Sequence, residues 1–513
     1  MADLYYTSDI HGYLFDTDYI STEGDGMGYF QAASHFRKGS LILDGGDILQ
    51  GSALARYVLK NGIRPFPQAE ALRQAGVCAY IPGNHDFNYG PDTLFNFIQD
   101  ATLPLLAANL ADQSGRMPII PYKVFTTDDG LRIGIVGVIT DYVNIWERAE
   151  NLGSLRVTDS VNAAGKALCA LRQESPDYTV CVYHGGYDST ETPGKMQENR
   201  AEELCALGFD VLLTAHQHIV VQPKVIGGTL TLQTGTMGRW YAHLSFSTER
   251  HSVTAEVLPS GEGTPVRDMT GVKRQLQHVQ EQVLDGLKTI IGHTAGPFSD
   301  KGKLDSALCG SSLADFFNDV QLQMTGADIS CTSLFNEPRN LGPVVTMGEL
   351  IACYPFPNTL TILEVNGTVL KTALERVAQY YDFDDTNGIV ISQRFLVPKV
   401  EHYNFDFYQN IHYAIDAAKP LGERVVELSW KGTDLLTHPS TTLTLVMNNY
   451  RASGTGGYEV FTTCPIVKQY GDDMQEILVH WFATNPLLPM PPAHDWRVFA
   501  SQNPVVHPSV SFS

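Results

Sequence analysis

The chain has no pair of cysteines at a metal-finger or disulfide-framework spacing. Its eight cysteines, at 78, 169, 181, 205, 309, 331, 353 and 464, stand singly, with no C-x-x-C. That argues against a zinc ribbon or a disulfide scaffold and predicts buried thiols in a reducing compartment. No apolar run approaches the roughly 20 residues needed to cross a bilayer. The opening segment MADLYYTSDIHG carries neither the basic nor the apolar region of an export signal. The expectation is a cytoplasmic protein, exported only if a leader has been trimmed. Basic charge is scarce: 35 Lys and Arg stand against 56 Asp and Glu, a net charge of -21. Such a surface repels phosphate backbones and anionic headgroups, which argues against a nucleic-acid polymer or a membrane as partner. A small anion can still be held where a bound cation reverses the local sign. Internal repeats and low-complexity tracts are also lacking.

The composition is that of a globular protein, 43% hydrophobic and 18% charged over 513 residues, enough for two to four domains. The first half alternates short β-branched or aromatic runs with longer helical patterns, which is the pattern of a layered α/β fold. Residues from about 220 to 258 read as hairpins. SGEGTPVRD (260–268) is a break, followed by a helical stretch at Val272–Ile291 whose Leu, Val and Ile recur at helical spacing. The second half mixes helices (Ser311–Thr325, Val369–Tyr381) with strands (Leu360–Val365, Thr442–Val446). The expected organisation is a domain over 1–260, a connecting helix over 261–292 and a second domain over 293–513.

Five apolar runs of the first half each lead straight into a polar cluster. Leu4–Thr7 precedes Asp9 and His11, Leu41–Leu43 precedes Asp47, and Cys78–Ile81 precedes Asn84 and His85. Thr179–Tyr183 precedes His184, and Val211–Leu213 precedes His216 and His218; a sixth run, Ile133–Ile139, has no such cluster. Ligands in open α/β sheets bind beyond the carboxyl ends of strands. Two carboxylates, four imidazoles and one amide mix hard oxygen with borderline nitrogen donors, which suits Mn, Zn, Fe or Co better than Mg or Ca. Seven ligands exceed one tetrahedral ion and suit two divalent ions sharing a carboxylate. Any one cluster is an ordinary turn or helix cap; five in succession at strand ends are not.

In that order, D-x-H, GGD, GNHD, a later His-Gly and a final H-x-H resemble the calcineurin-like metallophosphoesterase superfamily. The resemblance implies that Asp9, His11, Asp47 and His218 hold one metal. Asp47, Asn84, His184 and His216 would hold the other, with Asp47 bridging. Two such ions lower the pKa of a shared water and clamp phosphate oxygens for in-line attack, a bridging hydroxide being the nucleophile. The Gly usual before H-x-H is Ala215 here, acceptable unless the backbone there has positive φ. His85 would face the phosphoryl group and stabilise its charge or protonate the leaving alkoxide. In the 5′-nucleotidase branch, GNHEFD pairs that histidine with an Asp three residues on. Here GNHDFNYG has Asn88, so the candidate catalytic pair is His85 and Asn88, and the segment is closer to the 2′,3′-cyclic-nucleotide 2′-phosphodiesterase/3′-nucleotidase branch.

In the second half, YPFPNTL (354–360) and MNNYRASGTGGY (447–458) put aromatics among Pro, Asn and Gly, poor company for a core. Stacking a base between such rings is worth about 1–3 kcal/mol per contact. These segments resemble the C-terminal domain of the 5′-nucleotidase family, which implies that Phe356 and Tyr450 sandwich the base and Asn358 bonds its edge. SLFNEPRN (333–340) stands where the family has an Arg-ending loop, making Asn336 and Arg339 candidate ribose or phosphate contacts. YNFD (403–406) and NNYRASG (448–454) also match the cyclic phosphodiesterase branch. The implied fold is a calcineurin-like four-layer β-sandwich domain followed by an α+β nucleotide-specificity domain. The implied function is metal-dependent hydrolysis of small nucleotide phosphoesters. Alternatives are a 5′-nucleotidase or nucleoside-diphosphate-sugar hydrolase and, in another class, a non-catalytic nucleotide-binding protein.

Overall fold

The computed structural model describes residues 2–19, 24–187, 198–247, 249, 252–356, 358–384, 388–397, 400–485, 487–488 and 492–501. The chain divides into two compact units, Met1–Gly286 and Leu287–Ser513.

The first unit is built on two sheets. One has seven strands in the order Ser252–Pro259, Trp240–Ser247, Ala2–Thr7, Leu41–Asp44, Ala79–Tyr80, Leu105–Leu106 and Ile119–Ile120. The other has six, in the order Val220–Ile226, Thr229–Thr234, Val211–Thr214, Tyr178–His184, Arg132–Ile139 and Tyr122–Thr126. The central strands of both are parallel. They read as unbroken apolar runs because both faces are covered; all seven residues of Tyr178–His184 are buried. The sheets meet through side chains: Tyr6 Oη donates to the Thr214 carbonyl at 3.1 Å. At Gly137 a Cβ would sit 2.3 Å from the Leu106 carbonyl oxygen, an approach that only glycine permits. The helix Ser160–Gln173 lays Ala164, Leu168 and Leu171 on the outer side of the six-stranded sheet.

Parallel pairing collects strand ends. Thr7 lies opposite Asp44, Asp44 opposite Tyr80, and Tyr183 opposite Thr214. Each of the five runs singled out in the sequence is a strand of these sheets, and their carboxyl ends point the same way within each sheet. The region 220–258 forms two hairpins, but they belong to different sheets, the chain crossing over between Thr234 and Trp240.

The second unit centres on a five-stranded sheet ordered Asp406–Gln409, Ile329–Ser333, Thr442–Asn448, Thr359–Asn366 and Ile466–Asp473. A four-stranded, a three-stranded and a two-stranded sheet belong to it as well, with helices that include Ser312–Thr325, Gly367–Ala378 and Met474–Thr484. Its core is one cluster that includes Phe316, Phe317, Leu363, Leu374, Tyr408 and Trp481.

Two helices differ from expectation at their ends. The first runs Thr270–Leu287, not to Ile291, because the β-branched pair Ile290–Ile291 opens the strand Ile290–Thr294. Its buried Val272, Val279 and Val283, with Gln280 accepting from Tyr19 Oη at 2.7 Å, seat it on the first unit. The second runs Gly367–Ala378, capped by the Asn366 side chain, and Tyr381 belongs to the strand Tyr381–Asp384. All eight cysteines are free, but only 181, 205, 331 and 353 are buried; Cys169 and Cys309 are exposed, each on a helix. No described helix is long and apolar enough to cross a membrane.

Candidate metal centre and substrate loops

Beyond the strand ends the backbone turns sharply, and the ligand residues carry the turns. Asp9, His11, Asp47, His216 and His218 have φ of 53°, 50°, 58°, 73° and 58°, the left-handed region that non-glycine residues enter only at a cost. Ala215 is not among the positive-φ residues, so its methyl group is accommodated, buried beside Gly185. Two glycines are obligatory: a Cβ on Gly83 would lie 2.1 Å from Asp47 Oδ1, and one on Gly46 would lie 2.2 Å from the Gly83 nitrogen. Asp86 is the scaffold of this corner. Its carboxylate accepts from the backbone N–H of Asp47 (2.9 Å), Ile48 and Leu49 (both 3.2 Å) and Gly83 (2.8 Å), and from Tyr80 Oη (2.6 Å).

All seven predicted ligands come together. Asn84 Oδ1 lies 3.1 Å from His184 Nε2 and 2.9 Å from His216 Nδ1. His11 Nε2 lies 2.9 Å from His218 Nε2, which is 3.6 Å from Asp9 Oδ1. His184 Nε2 is 3.9 Å from Asp9 Oδ1 and 3.2 Å from Asp47 Oδ2. Asp9, His11 and His218 form one triplet of mutually close donors, and Asp9, Asp47 and His184 another. Asp9 thus stands in both, whereas Asp47, the bridging carboxylate implied by the resemblance, stands in one.

The outer nitrogen of three rings is already committed. His11 Nδ1 donates to the Gln50 carbonyl (2.8 Å), His184 Nδ1 to the Gly45 carbonyl (2.5 Å), and His216 Nε2 to the Glu198 carboxylate (2.9 Å). Fixing the outer N–H turns a lone pair inward, the usual outer support of a metal-binding imidazole. The centre is therefore lined by lone pairs and carboxylate oxygens, and buried Asp47 Oδ2 receives no hydrogen bond. Burial opposes a charged ring at His184, yet Asp47 and Asp9 outweigh it and lift its pKa to about 10, so that a divalent cation held there would take the place of a proton on the inward Nε2. A cluster so short of positive charge fits divalent cations, with nitrogen and oxygen donors of the borderline kind. The residues that would hold them are Asp9, His11, Asp47, Asn84, His184, His216 and His218.

His85 follows Asn84 in the 3₁₀ turn Asn84–Phe87, its backbone N–H donating to Asp47 Oδ1 at 2.7 Å. Its ring lies 5.6 Å from that of His11, and its Nδ1 is 2.9 Å from Asn88 Oδ1. The sequence missed three residues around this centre. Glu198 holds His216; Trp146 stacks on the His216 ring at 5.2 Å and 26°; and Glu147 accepts from Asn88 Nδ2 at 2.6 Å. Trp146 and Glu147 follow the strand Arg132–Ile139, whose run lacked an adjacent polar cluster because the contributing residues come a helical turn later.

In the second unit, Leu360 pairs with Asn448 at the end of an antiparallel ladder, and the loop carrying Phe356 and the short helix Asn449–Ala452 carrying Tyr450 adjoin that same end. The Thr359 N–H donates to Asn449 Oδ1 at 3.0 Å, tying the two segments together. Phe356 and Tyr450 are half-buried, and Phe356 meets Phe335 at 5.2 Å, a ring the sequence analysis passed over. Asn358 is half-buried, and its carbonyl accepts from the Met474 N–H at 2.8 Å. Asn336 Nδ2 is spent on the Val400 carbonyl (2.8 Å) while its Oδ1 is buried without a partner. The Arg339 side chain is exposed, its carbonyl held by Cys353 Sγ at 2.7 Å. YNFD and NNYRASG are joined by one buried ion pair: Arg451 Nε lies 2.8 Å from Asp406 Oδ2, and Arg451 Nη2 donates to the Tyr403 carbonyl at 3.0 Å.

Residues 4–220 match the calcineurin-like phosphoesterase family, and residues 290–463 match the 5′-nucleotidase C-terminal domain. The chain is 25% identical to the 2′,3′-cyclic-nucleotide 2′-phosphodiesterase/3′-nucleotidase of Salmonella typhimurium, over 93% of this chain and 84% of that protein. It is 23% identical to a trifunctional nucleotide phosphoesterase of Bacillus subtilis, over 96% of this chain but only 38% of that longer protein. Among solved structures, a Staphylococcus aureus protein described as a putative 5′-nucleotidase, in complex with alpha-ketoglutarate, superimposes with a TM-score of 0.87 at 28% identity, covering 97% of this chain and 99% of that one.

Proposed function

This chain is a calcineurin-like phosphoesterase carrying a 5′-nucleotidase C-terminal domain, and from that premise we propose that it hydrolyses small nucleotide phosphoesters, as a 2′,3′-cyclic-nucleotide 2′-phosphodiesterase and 3′-nucleotidase. The observation that carries the reading is the convergence of seven donor groups beside His85, whose ring is held by an amide. Divalent ions, when bound there, supply a water of lowered pKa and neutralise charge on phosphate oxygens. The protein's own part is to hold and orient. Glu198, Gln50 and Gly45 fix the imidazoles of His216, His11 and His184. Asn88 fixes His85, so that a proton at His85 Nε2 can pass to the leaving oxygen. Phe356, Tyr450 and Asn358 read the base, a task for which -21 of net charge is no obstacle because stacking is not electrostatic. The eight free cysteines support a reducing, cytoplasmic location.

A second reading, 5′-nucleotidase, is favoured by the Staphylococcus aureus structure. A Mn2+-supplemented assay comparing kcat/KM for 2′,3′-cyclic AMP, 3′-AMP and 5′-AMP separates the two. Preference for cyclic and 3′ substrates supports the proposal. Preference for 5′-AMP replaces it with the second reading, and no turnover of any of the three refutes both.

A further inference from the structure

Around His85 the hydrogen bonds form a chain in which each assignment forces the next. Glu147 Oε1 accepts from the Arg148 N–H (2.9 Å) and from Asn151 Nδ2 (2.7 Å). Glu147 Oε2 lies 2.6 Å from the Asn88 side chain. A carboxylate can only accept, so Asn88 must turn its NH2 toward Glu147. Its carbonyl oxygen then faces His85 Nδ1 at 2.9 Å, and that nitrogen must carry the hydrogen. The exchangeable proton of the ring is thereby assigned to Nε2. An isolated asparagine would impose none of this, since its two ends differ only in which atom donates.

We propose that Glu147 is a positioning residue of the hydrolytic site: through Asn88 it sets the orientation and tautomer of His85, and so does the work of the aspartate that a His–Asp pair would place at position 88. The inference rests on the proposed role of His85 in phosphoester cleavage. Its neighbour Trp146, stacked on His216, keys the same segment to the metal ligands from the other side. Glu147 is half-buried and anchored by three donors, so its carboxylate cannot swing away when Asn88 is changed.

The chain of donors makes an uncommon prediction about substitutions. In Glu147→Gln, the Arg148 N–H and Asn151 still demand an acceptor, so the new amide presents its NH2 to Asn88. Asn88 must answer with its oxygen, turning its own NH2 to the ring and inverting the His85 tautomer. In Asn88→Asp, two carboxylates face each other at the position of the 2.6 Å contact. In the double variant Glu147→Gln with Asn88→Asp, the amide introduced at 147 donates to the carboxylate introduced at 88. That carboxylate accepts from His85 Nδ1 in turn, and the chain is restored.

The experiment combines kinetics on the cyclic nucleotide with 1H–15N spectra of 15N-histidine-labelled protein, the His85 signals being identified by their loss in His85→Ala. Each single variant is expected to lower kcat by about 10–100-fold, the usual scale for an outer partner of a site imidazole, with KM changed less than about 3-fold. The double variant is expected to recover most of the lost kcat, and only Glu147→Gln to exchange the Nδ1 and Nε2 shifts of His85. Single variants with unaltered kcat, a double variant no better than the worse single, or a His85 tautomer unmoved in Glu147→Gln would each overturn the proposal. If the wild-type protein turned over no nucleotide, the functional reading would fall, while the spectra would still decide whether Glu147 controls His85.

Discussion

Arg451 is the residue whose loss should be felt most in the second unit. It is 2% exposed, yet its guanidinium meets Asp406 through Nε (2.8 Å), the Thr455 carbonyl through Nη1 (2.5 Å) and the Tyr403 carbonyl through Nη2 (3.0 Å). It also lies over the Tyr458 ring at 4.2 Å. Burial works against its charge, but Asp406 outweighs that and holds the guanidinium firmly protonated. Arg451→Ala leaves Asp406, 1% exposed, as a buried carboxylate without the guanidinium that pairs with it. Breaking a buried pair in this way costs about 3–5 kcal/mol. With a urea dependence of about 2–3 kcal/mol per molar, the midpoint for the second unit should fall by about 1–2.5 M. The assay is tryptophan fluorescence on the full chain, since three of the five tryptophans, Trp430, Trp481 and Trp496, lie in this unit. Replacing both partners, Arg451→Met with Asp406→Leu, should recover more than half of the loss, because no charge is then stranded. A single variant that costs under about 1 kcal/mol, or a double variant no better than the single, refutes the reasoning.

Three further outcomes are expected. Gly83→Ala drives a methyl group onto Asp47 Oδ1, 2.1 Å away, so purified protein should lose bound metal by elemental analysis and nearly all activity, while its stability falls by only about 1–3 kcal/mol; full metal content in the variant would contradict the geometry. Phe356→Ala should raise KM for nucleotides about 5–100-fold, the equivalent of one lost stacking contact, and leave hydrolysis of a base-free phosphodiester such as bis(p-nitrophenyl) phosphate unaltered; equal losses on both substrates would remove Phe356 from base recognition. Asp44 is fully buried, and burial pushes its pKa up to about 8, against the help of Gly46 N–H and Thr7 Oγ1. The folded state therefore keeps a proton that the unfolded chain releases near the ordinary value of 3.8, and stability contributed by Asp44 is present at low pH and lost as pH rises toward about 8. In metal-stripped protein, Asp44→Asn should gain Tm relative to wild type between pH 5 and pH 8; a difference independent of pH would show that Asp44 is not held protonated.

The cluster proposed as the metal centre was legible because parallel strands leave a simple trace: an apolar run with no polar interruption, then a chemical side chain where the run stops. Asp9, Asp47, His184 and His216 announce themselves this way. Glu147, Glu198 and Trp146 do not, since an outer partner needs only to reach a ligand in space, and these come from turns with no period of their own. Asn88 posed a question the sequence could not answer, because an amide's direction is decided by what stands behind it. The helix ends at Leu287 and Ala378 were misplaced by three or four residues, where a β-branched or aromatic residue fits the periodic pattern of a helix but pairs as a strand. The positive φ at five of these residues left only a weak local signal, because Asp and His enter that region more often than other side chains yet still seldom do so.

Those five contorted residues have a consequence for how such a protein ages in evolution. Each left-handed non-glycine residue costs on the order of 1 kcal/mol that glycine would not, so the residues proposed to hold the metals are also the ones that loosen its corner. A copy released from selection on activity has a downhill path open to it: His218→Gly, at an exposed position, relieves strain at φ of 58° in the same stroke that removes a candidate ligand. A descendant silenced in this way should therefore be hardier than its working ancestor when both are compared without metal, whereas loss of the buried His11 ring, bonded to the Gln50 carbonyl, should not stabilise it. In this architecture durability and chemistry compete for the same peptide bonds.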